Sequence, residues 1–276
     1  MPPVASGWAQ RGVALRCHGL RLLGLLLVCA ASLQLYFGAR IALMAVLAPQ
    51  STTFQRSEAA RLLREKQRLD WQQDWVDDHR IAATLKRAVI ASEDAGFTEH
   101  NGVEWDALEQ AWEKNQRAEA SAARRNAQTN PRPAPGRTGA RSAASAAARP
   151  PVEAKLVGGS TISQQLAKNL FLSGERTAAR KAQEFVLTLA LEALLPKRRI
   201  LVIYLNHVEW GEGVFGAQAA ARHYFHTDAA RLDALSAARL AVMLPAPKRF
   251  EKNPGSAYVG GRAATIAARM GAVALP

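Results

Sequence analysis

The chain has 276 residues, of which 49% are hydrophobic and 21% charged, so it is neither wholly disordered nor collagen-like. Its 36 lysines and arginines exceed its 23 acidic residues, which gives a formal net charge of +13. Such an excess predicts a polyanionic partner, and the composition leaves open whether this is nucleic acid, anionic lipid or a pyrophosphate. The two cysteines, Cys17 and Cys29, precede residue 30, so the rest of the chain can form neither a disulfide framework nor a thiolate zinc site.

An apolar segment near the N-terminus predicts a membrane anchor. Residues 22–39 carry no charge, and the apolar character continues after Arg40 to residue 47. At about 1.5 Å per residue, this length crosses a hydrocarbon core of about 30 Å, with Arg40 at the interface or at the end of the span. A cleaved signal peptide is the alternative, but its apolar core would have only about 7–15 residues.

The charges around this segment predict its orientation. All charged residues before it are arginines, and no acidic residue appears before Glu58. The positive-inside rule then predicts that the N-terminus is cytoplasmic. The resulting division is a cytoplasmic stub at 1–21, a transmembrane anchor at 22–47 and an external domain at 51–276.

Hydrophobic periodicity predicts that this external domain is mainly α-helical. Residues 51–80 form a polar, partly helical entry, and residues 81–92 form a short helix. The buried stripe of that helix consists of Ile81, Leu85, Ala88 and Val89. Further helices are predicted at 160–171, 178–195, 197–206, 217–225 and 233–243. No alternating strand pattern of useful length follows the anchor, and there is no internal repeat.

The stretch from Arg117 to Lys155 differs in composition from the rest of the domain. It is rich in alanine, arginine, proline and serine and has almost no large apolar residue. Such a segment buries too little apolar surface to offset the entropy lost on ordering. Residues 118–154 are therefore predicted to be a disordered surface insertion, and a nucleic-acid-binding arm is the alternative.

The first cluster of chemically suggestive residues begins with Glu93 and Asp94 and extends to Gly102. Glu93 lies at the end of the predicted helix 81–92, where exposed carbonyl groups disfavour a negative charge. Desolvation by Phe97 and Trp105 would also raise the pKa of Glu93, which suits proton transfer near neutral pH. The alternative is an acidic turn that ends the helix.

The second cluster, at 158–169, has the sequence GGSTISQQLAKN. Two glycines and a Ser-Thr pair open a helix, whose free backbone N–H groups can bind an anion. Thr161, Gln165 and Lys168 share one helical face beside an apolar stripe, which predicts the wall of a cleft. The alternative is a well-capped amphipathic helix.

The third cluster contains Arg180, Lys181 and Glu184 at the start of an apolar helix. One interpretation makes the two cations phosphate ligands that Glu184 orients, and the other is a surface ion pair at i,i+4 spacing. The GxGxxG pattern at 211–216 lacks the βαβ context of a dinucleotide site, so that interpretation is rejected. His223 and His226 lack a nearby third ligand, so no metal site is predicted.

Taken together, these segments resemble the peptidoglycan glycosyltransferases of glycosyltransferase family 51. The matching motifs occur in order over about 51–276: ED-x-x-F-x-x-H-x-G, GGSTIS-QQ-x-x-KN, RK-x-x-E, YLN-x-x-x-x-G-x-G-x-x-G and LPAPKRF. The resemblance implies a mainly α, lysozyme-like glycosyltransferase domain behind a single N-terminal transmembrane helix. The motifs on either side of 118–154 are nearly contiguous in the family. No penicillin-binding transpeptidase domain follows Pro254, so a monofunctional member is expected.

The resemblance also implies an activity, a location and a set of site residues. The expected reaction is inverting polymerisation of lipid II into β-1,4-linked glycan strands, with release of undecaprenyl diphosphate, on the periplasmic side of a bacterial inner membrane. A lytic, wall-cleaving glycosidase of lysozyme-like fold and a non-enzymatic basic membrane scaffold are the alternatives. Glu93 and Glu184 are the implied catalytic residues. The implied substrate-binding residues are Asp94, Phe97, His100, Ser160, Thr161, Gln164, Gln165, Lys168, Asn169, Arg180 and Lys181.

The same resemblance sets the expected cofactors and partners. No cofactor is required, although a divalent cation, Mg²⁺ or Mn²⁺, would be able to assist the pyrophosphate. The expected partners are lipid II, the nascent glycan strand, inner-membrane lipid, penicillin-binding proteins, and division or elongation proteins. Nucleic acid is not expected to be a partner.

Overall fold

The computed structural model describes residues 6–129, 159–175 and 177–276, and it confirms a mainly helical fold. The α-helices within these ranges are α1 (Ser6–Leu43), α2 (Thr53–Lys66), α3 (Ala83–Glu93), α4 (Trp105–Thr129), α5 (Ile162–Phe171), α6 (Ala178–Leu194), α7 (Lys197–His207), α8 (Ala217–Phe225), α9 (Ala234–Met243), α10 (Pro247–Phe250) and α11 (Ala257–Arg269). The strands β1 (Gln72–Gln73), β2 (Glu209–Gly211) and β3 (Val214–Phe215) form one small sheet. In it, β3 is central, parallel to β1 and antiparallel to β2.

The apolar N-terminal segment forms most of α1, and its portion His18–Leu43 is long and apolar enough to cross a membrane. The helix ends at Leu43 rather than at the predicted residue 47, and turns follow it toward Pro49, before which helical backbone is disfavoured. Arg40 lies in the last turn, with its guanidinium 5.4 Å from the ring centroid of Phe171. The charge that interrupts the apolar segment therefore lies against the domain.

The last turns of α1 pack directly on the domain. Phe37 meets Phe171 of α5 edge-on, with ring centroids 5.2 Å apart, and Ile41 is fully buried. Gln34 donates from its amide to Gln183 of α6 at 2.8 Å, and Gln183 donates back at 3.2 Å. These contacts join the anchor to the two helices that carry Lys168 and Arg180.

The buried helix faces agree with the apolar stripes predicted from the sequence. The stripe of Leu85, Ala88 and Val89 is buried in α3, which packs on α9, and α9 in turn packs on α11. The stripe of Ile162, Leu166 and Leu170 is equally buried, where α5 packs against α2, α6 and α7. Two groups of helices therefore share one core, with the C-terminal end of α3 beside the start of α5.

The GxGxxG pattern forms the tight connection between β2, β3 and α8. Gly213 has φ +75°, and a Cβ atom there would lie 2.0 Å from the carbonyl oxygen of Asp70. Gly216 has φ +83°, and its Cβ would lie 2.7 Å from the carbonyl oxygen of Asn206. Close backbone approach therefore explains these glycines. The strands were not predicted because two or three residues are too few to show alternation.

Gly213→Ala is expected to lower the free energy of unfolding by at least about 2 kcal/mol, because positive φ and a backbone clash act together. Gly174→Ala is the matched control, since nothing lies within 4 Å of a Cβ added there. The control is expected to change stability by less than about 1 kcal/mol. Urea unfolding of the two variants measures the difference, and equal losses would contradict this explanation.

The structure differs from the predicted insertion over residues 118–129, which continue α4 as far as Thr129. Disorder was expected because the segment has few large apolar residues. Alanine and arginine nevertheless have high helix propensity, and extending an existing helix avoids the cost of nucleation. The remainder of the predicted insertion, residues 130–154, lies outside the described residues.

Candidate active site

A cleft runs along the exposed side of α5. Its larger cavity has a volume of about 710 Å³ and is lined by residues of α3, α5, β2 and the segment that leads into α10. A smaller cavity of about 320 Å³ adjoins it. Phe54, Lys168 and Asn169 line both cavities, so the two form one continuous cleft.

Glu93 is the last residue of α3, and it lines the larger cavity. Burial raises the pKa of the Glu93 carboxyl above its ordinary value, and the neighbouring charge of Asp94 raises it further. A hydrogen bond of 2.9 Å from the Gln165 side chain to Oε2 opposes this shift without reversing it. The raised pKa agrees with the sequence prediction, but Trp105 is not its cause, because this side chain is largely exposed and packs near Phe185.

Tyr204 of α7 fixes the orientation of Gln165, and the sequence analysis did not identify it. Its hydroxyl donates to Gln165 Oε1 at 2.9 Å, which turns the amide NH₂ group toward Glu93. Burial raises the pKa of Tyr204 well above its ordinary value, so the hydroxyl remains a donor. The YLN motif was the available signal, because its tyrosine is this residue.

Asp94 connects the end of α3 to the start of α5. Its Oδ2 accepts a hydrogen bond from the backbone N–H of Ile162 at 3.0 Å, and its Oδ1 pairs with His100 Nε2 at 2.8 Å. His100 Nδ1 accepts from the backbone N–H of Gly102 at 3.0 Å, so the Nε2 atom carries the proton donated to Asp94. These bonds hold Glu93 and Gln165, one on each helix, at contact distance.

Asp94→Ala is expected to lower the free energy of unfolding by about 3 kcal/mol, because two hydrogen bonds to a buried charge are lost. Glu99→Ala is the matched control, because this side chain lies in the same turn and is exposed. Its free energy of unfolding is expected to stay within about 0.5 kcal/mol of that of wild type. Chemical denaturation of both variants measures the effect. A wild-type stability for Asp94→Ala would contradict the connecting role.

Six predicted substrate-binding residues do not line either cavity, and five of them, all but the exposed Lys181, are largely buried in contact with the protein itself. Thr161 caps α5: its Oγ1 accepts from the Gln164 backbone at 3.2 Å and donates to the carbonyl oxygen of Gly102 at 2.6 Å. The Gln164 side chain accepts in return from the Thr161 N–H at 3.2 Å. Burial favours a positioning role over direct substrate contact for five residues: Asp94, Phe97, His100, Thr161 and Gln164.

The smaller cavity carries the cations Lys168 and Arg180 and is called the cationic end of the cleft, although Glu58 and Glu175 line it as well. Lys168 is exposed on α5 and forms no ion pair with any of the described residues, while Arg180 lines the cavity from the first turn of α6. Arg180 donates to Glu184 at 2.7 Å, and Lys181 pairs with the other oxygen of Glu184. Nε of Arg180 is buried with no hydrogen-bond partner in the described part of the chain.

Glu184 is therefore not brought to Glu93, although both were predicted as catalytic. Its side chain is buried between Arg180 and Lys181 and does not line either cavity. A carboxylate so placed orients the two cations rather than a reacting atom. Ser160, Gln165 and Asn169 do line the larger cavity, as the sequence predicted. Glu209 also lines it and was missed, because it lies between recognised motif positions.

Asp94, His100 and Glu104 are the described residues whose ligand-type atoms cluster as a metal site would require, within 4.8 Å of one another. The donor set does not fit a cation, since both oxygens of Asp94 and both ring nitrogens of His100 already take part in hydrogen bonds within the protein. These three side chains also do not line either cavity. We assign no metal ion to this cluster.

Comparison with known proteins finds similar sequences over most of the chain. The model of the family described as Transglycosylase matches residues 59–124 and 139–271, and its interruption lies within the predicted insertion. The chain is 47% identical over 250 residues to the biosynthetic peptidoglycan transglycosylase of Bordetella pertussis, which covers 90% of this chain and 91% of the relative.

Proteins of the same name from two other organisms are similar to nearly the same extent. The identity is 48% over 243 residues for Burkholderia pseudomallei, covering 88% of this chain and 82% of the relative. It is 46% over 242 residues for Paraburkholderia phytofirmans, covering 87% and 86%. The family match includes Glu93, Gln165, Lys168 and Arg180 of the cleft. The chain therefore belongs to the transglycosylase family.

Proposed function

We propose that this protein is a peptidoglycan glycosyltransferase that polymerises lipid II into β-1,4-linked glycan strands, with inversion at the anomeric carbon and release of undecaprenyl diphosphate. The observation that carries the proposal is one cleft that joins a carboxyl group of raised pKa, Glu93, to the cations Lys168 and Arg180. The names of the similar proteins support peptidoglycan as the product.

Glu93 is the general base of the proposed reaction. Its carboxylate removes the proton from the 4-hydroxyl of the acceptor sugar while that oxygen bonds to the anomeric carbon of the donor. The bond from that carbon to the pyrophosphate oxygen breaks, and its electron pair leaves with the pyrophosphate. Gln165, held by Tyr204, donates a hydrogen bond of 2.9 Å to Oε2 of Glu93. This bond orients the carboxylate and so reduces the conformational entropy that the base loses in the reaction.

Lys168 and Arg180 bind the pyrophosphate of the growing chain. Their charges stabilise the negative charge that builds up on the leaving group, which is the largest electrostatic contribution expected in such a transfer. Glu184 keeps Arg180 and Lys181 in place by pairing with both. The position of Lys168 and Arg180 in the lining of the same cavity supports this assignment.

The attachment of α1 supports a membrane-bound substrate. Phe171 and Gln183, which contact α1, lie three residues from Lys168 and Arg180 on the same helices. The cationic end of the cleft is therefore next to the apolar helix, where the pyrophosphate of a polyprenyl lipid would lie. Because the charged residues that precede the apolar segment are arginines, we place the N-terminus in the cytoplasm and the domain on the periplasmic side of a bacterial inner membrane.

The test is incubation of the detergent-solubilised full chain with labelled lipid II, followed by digestion of the product with a muramidase. We expect a polymer of high molecular mass that the muramidase converts to disaccharide units. Folded protein that consumes no lipid II would contradict the proposed function. Release of fragments from preformed glycan strands, without polymerisation, would favour the lytic alternative.

A further inference from the structure

Glu209 is a second carboxyl group in the larger cavity, and proton transfer through Glu93 does not use it. It lies on β2 and lines the cavity together with Glu93. Its side chain is only 8% exposed, yet Oε1 has no hydrogen-bond partner within the described ranges of the chain. A buried carboxylate oxygen without hydrogen bonds is unfavourable for folding, so its position needs a reason other than stability.

The local backbone directs Glu209 into the cleft. In the pairing of β2 with β3, Glu209 lies opposite Phe215 and Gly211 opposite Val214, so one extra residue forms a bulge between them. Bulges of this kind redirect a side chain and are over-represented beside active sites. Glu209 is thus aimed at the cavity by an irregularity of the strand.

The nearest cation neutralises Glu209 only in part. Nζ of Lys248 is 3.4 Å from Oε1 of Glu209, an ion-pair distance without hydrogen-bond geometry. Lys248 lies closer to Glu58 of α2, with which it does form a hydrogen bond. A carboxylate present only to pair with Lys248 would be expected to take the hydrogen bond that Glu58 takes. Oε1 of Glu209 is thus buried beside Lys248, and the carboxylate as a whole keeps hydrogen-bonding capacity that the described residues do not use.

Burial raises the pKa of Glu209 to about 7, against the lowering effect of Lys248. The other ionisable groups that face it are Glu58 of α2, Glu251 beyond α10 and Tyr224 of α8. Glu209 therefore becomes ionised as the pH rises through about 7. The ionised form accepts hydrogen bonds through both oxygens.

We propose that Glu209 binds the carbohydrate part of the substrate, by accepting a hydrogen bond from a sugar hydroxyl or N-acetyl amide group at the edge of its carboxylate nearest the cavity. The inference rests on the proposed function, and it assigns to β2 a sugar contact distinct from the phosphate contacts of Lys168 and Arg180. Because Glu209 contacts the substrate without taking part in proton transfer, its loss affects substrate binding more than the chemical step.

The experiment is steady-state polymerisation of lipid II by Glu209→Gln at pH 8. We expect the KM for lipid II to rise about tenfold, because glutamine keeps an acceptor oxygen but loses the charge that strengthens the hydrogen bond. We expect kcat to stay within about twofold of wild type. The matched control is Glu212→Gln on the same hairpin, whose carboxylate pairs with Arg61 and Lys66 and does not line either cavity. Its kinetics are expected to equal those of wild type. For wild type, but not for Glu209→Gln, the KM for lipid II is also expected to rise as the pH falls through about 7, because only wild type has the carboxyl group that titrates there.

The outcomes separate this inference from the proposed function. Wild-type protein that forms no polymer would overturn both. Normal polymerisation by wild type with an unchanged KM for Glu209→Gln would overturn the inference alone, and so would equal KM increases in Glu209→Gln and Glu212→Gln. Thermal unfolding at pH 8 checks the fold. Because burial raises the pKa of Glu209 to about 7, its charge opposes folding at pH 8, and glutamine is expected to leave the midpoint unchanged or raise it. A large fall in the midpoint would make Glu209 a structural residue and would also overturn the inference.

Discussion

Glu93→Gln is expected to lower the rate of lipid II polymerisation by about 10²–10⁴-fold, the usual effect of losing a general base. Glutamine has nearly the shape of glutamate and can still accept the hydrogen bond from Gln165, but its amide does not take up the acceptor's proton. The thermal midpoint is therefore expected to stay near that of wild type. The measurement is the initial rate of lipid II consumption at equal folded content.

The control for this variant is Glu99→Gln, an exposed carboxyl group six residues later that does not line either cavity. It is expected to keep the wild-type rate. If Glu93→Gln retained more than a tenth of the wild-type rate, Glu93 would not be the base.

The pH dependence of kcat provides a second test of Glu93. The base acts when deprotonated, so kcat is expected to fall as the pH is lowered through the pKa of Glu93. Burial raises that pKa above its ordinary value of 4.5, so the fall is expected to begin at higher pH than for an exposed glutamate. A kcat that stays constant down to the ordinary range of glutamate would contradict the assignment.

Lys168→Ala is expected to lower kcat/KM, and the affinity for a phosphoglycolipid inhibitor that mimics the donor, by about ten- to hundredfold. A charge-assisted contact with a phosphate contributes about 1.5–3 kcal/mol, and about 1.4 kcal/mol corresponds to a factor of ten. Lys168 forms no ion pair with any of the described residues, so its removal is expected to leave the thermal midpoint unchanged. Inhibitor titration together with initial rates measures both effects.

Lys252→Ala is the matched control, since this lysine is also exposed but does not line either cavity. It is expected to bind the inhibitor as wild type does. If Lys168→Ala and Lys252→Ala gave the same affinity, the pyrophosphate would have to be bound elsewhere. Arg180→Ala is less suitable as a first test, because it also leaves the buried Glu184 with one cation fewer.

The helices that bear the cleft could be predicted from the sequence because their apolar residues recur at helical spacing. The predicted ranges for α3 and for α5 to α9 agree with the structure to within two residues at each end. Capping residues helped to define these ends, as Thr161 does for α5 through its bond with the Gln164 backbone. The whole of α4 was missed, and its residues 118–129 were assigned to a disordered insertion, because burial was considered there and local helix propensity was not.

The residue types of the cleft were also readable from the sequence, since Glu93, Gln165, Lys168 and Arg180 lie in recognisable motifs. The contacts between them were not, because hydrogen-bond partners distant in the chain depend on which helices pack together. Periodicity shows which face of a helix is buried but not which other helix it meets. Gln165 therefore reaches Glu93 across 72 residues only through the packing of α5 beside the end of α3.

Because the packing of distant helices could not be predicted, the roles predicted for the glutamates differ from their positions in the structure. Glu184 and Glu209 are both glutamates in or near motifs, and the sequence favoured Glu184 as the second catalytic carboxyl group. The fold buries Glu184 between Arg180 and Lys181, whereas the bulge in β2 directs Glu209 into the cavity. The residues present, their helices and the sign of their charge follow from the amino-acid order alone. Which carboxyl group faces the cleft depends on the packing of distant segments, because that packing sets both its solvent exposure and its partners.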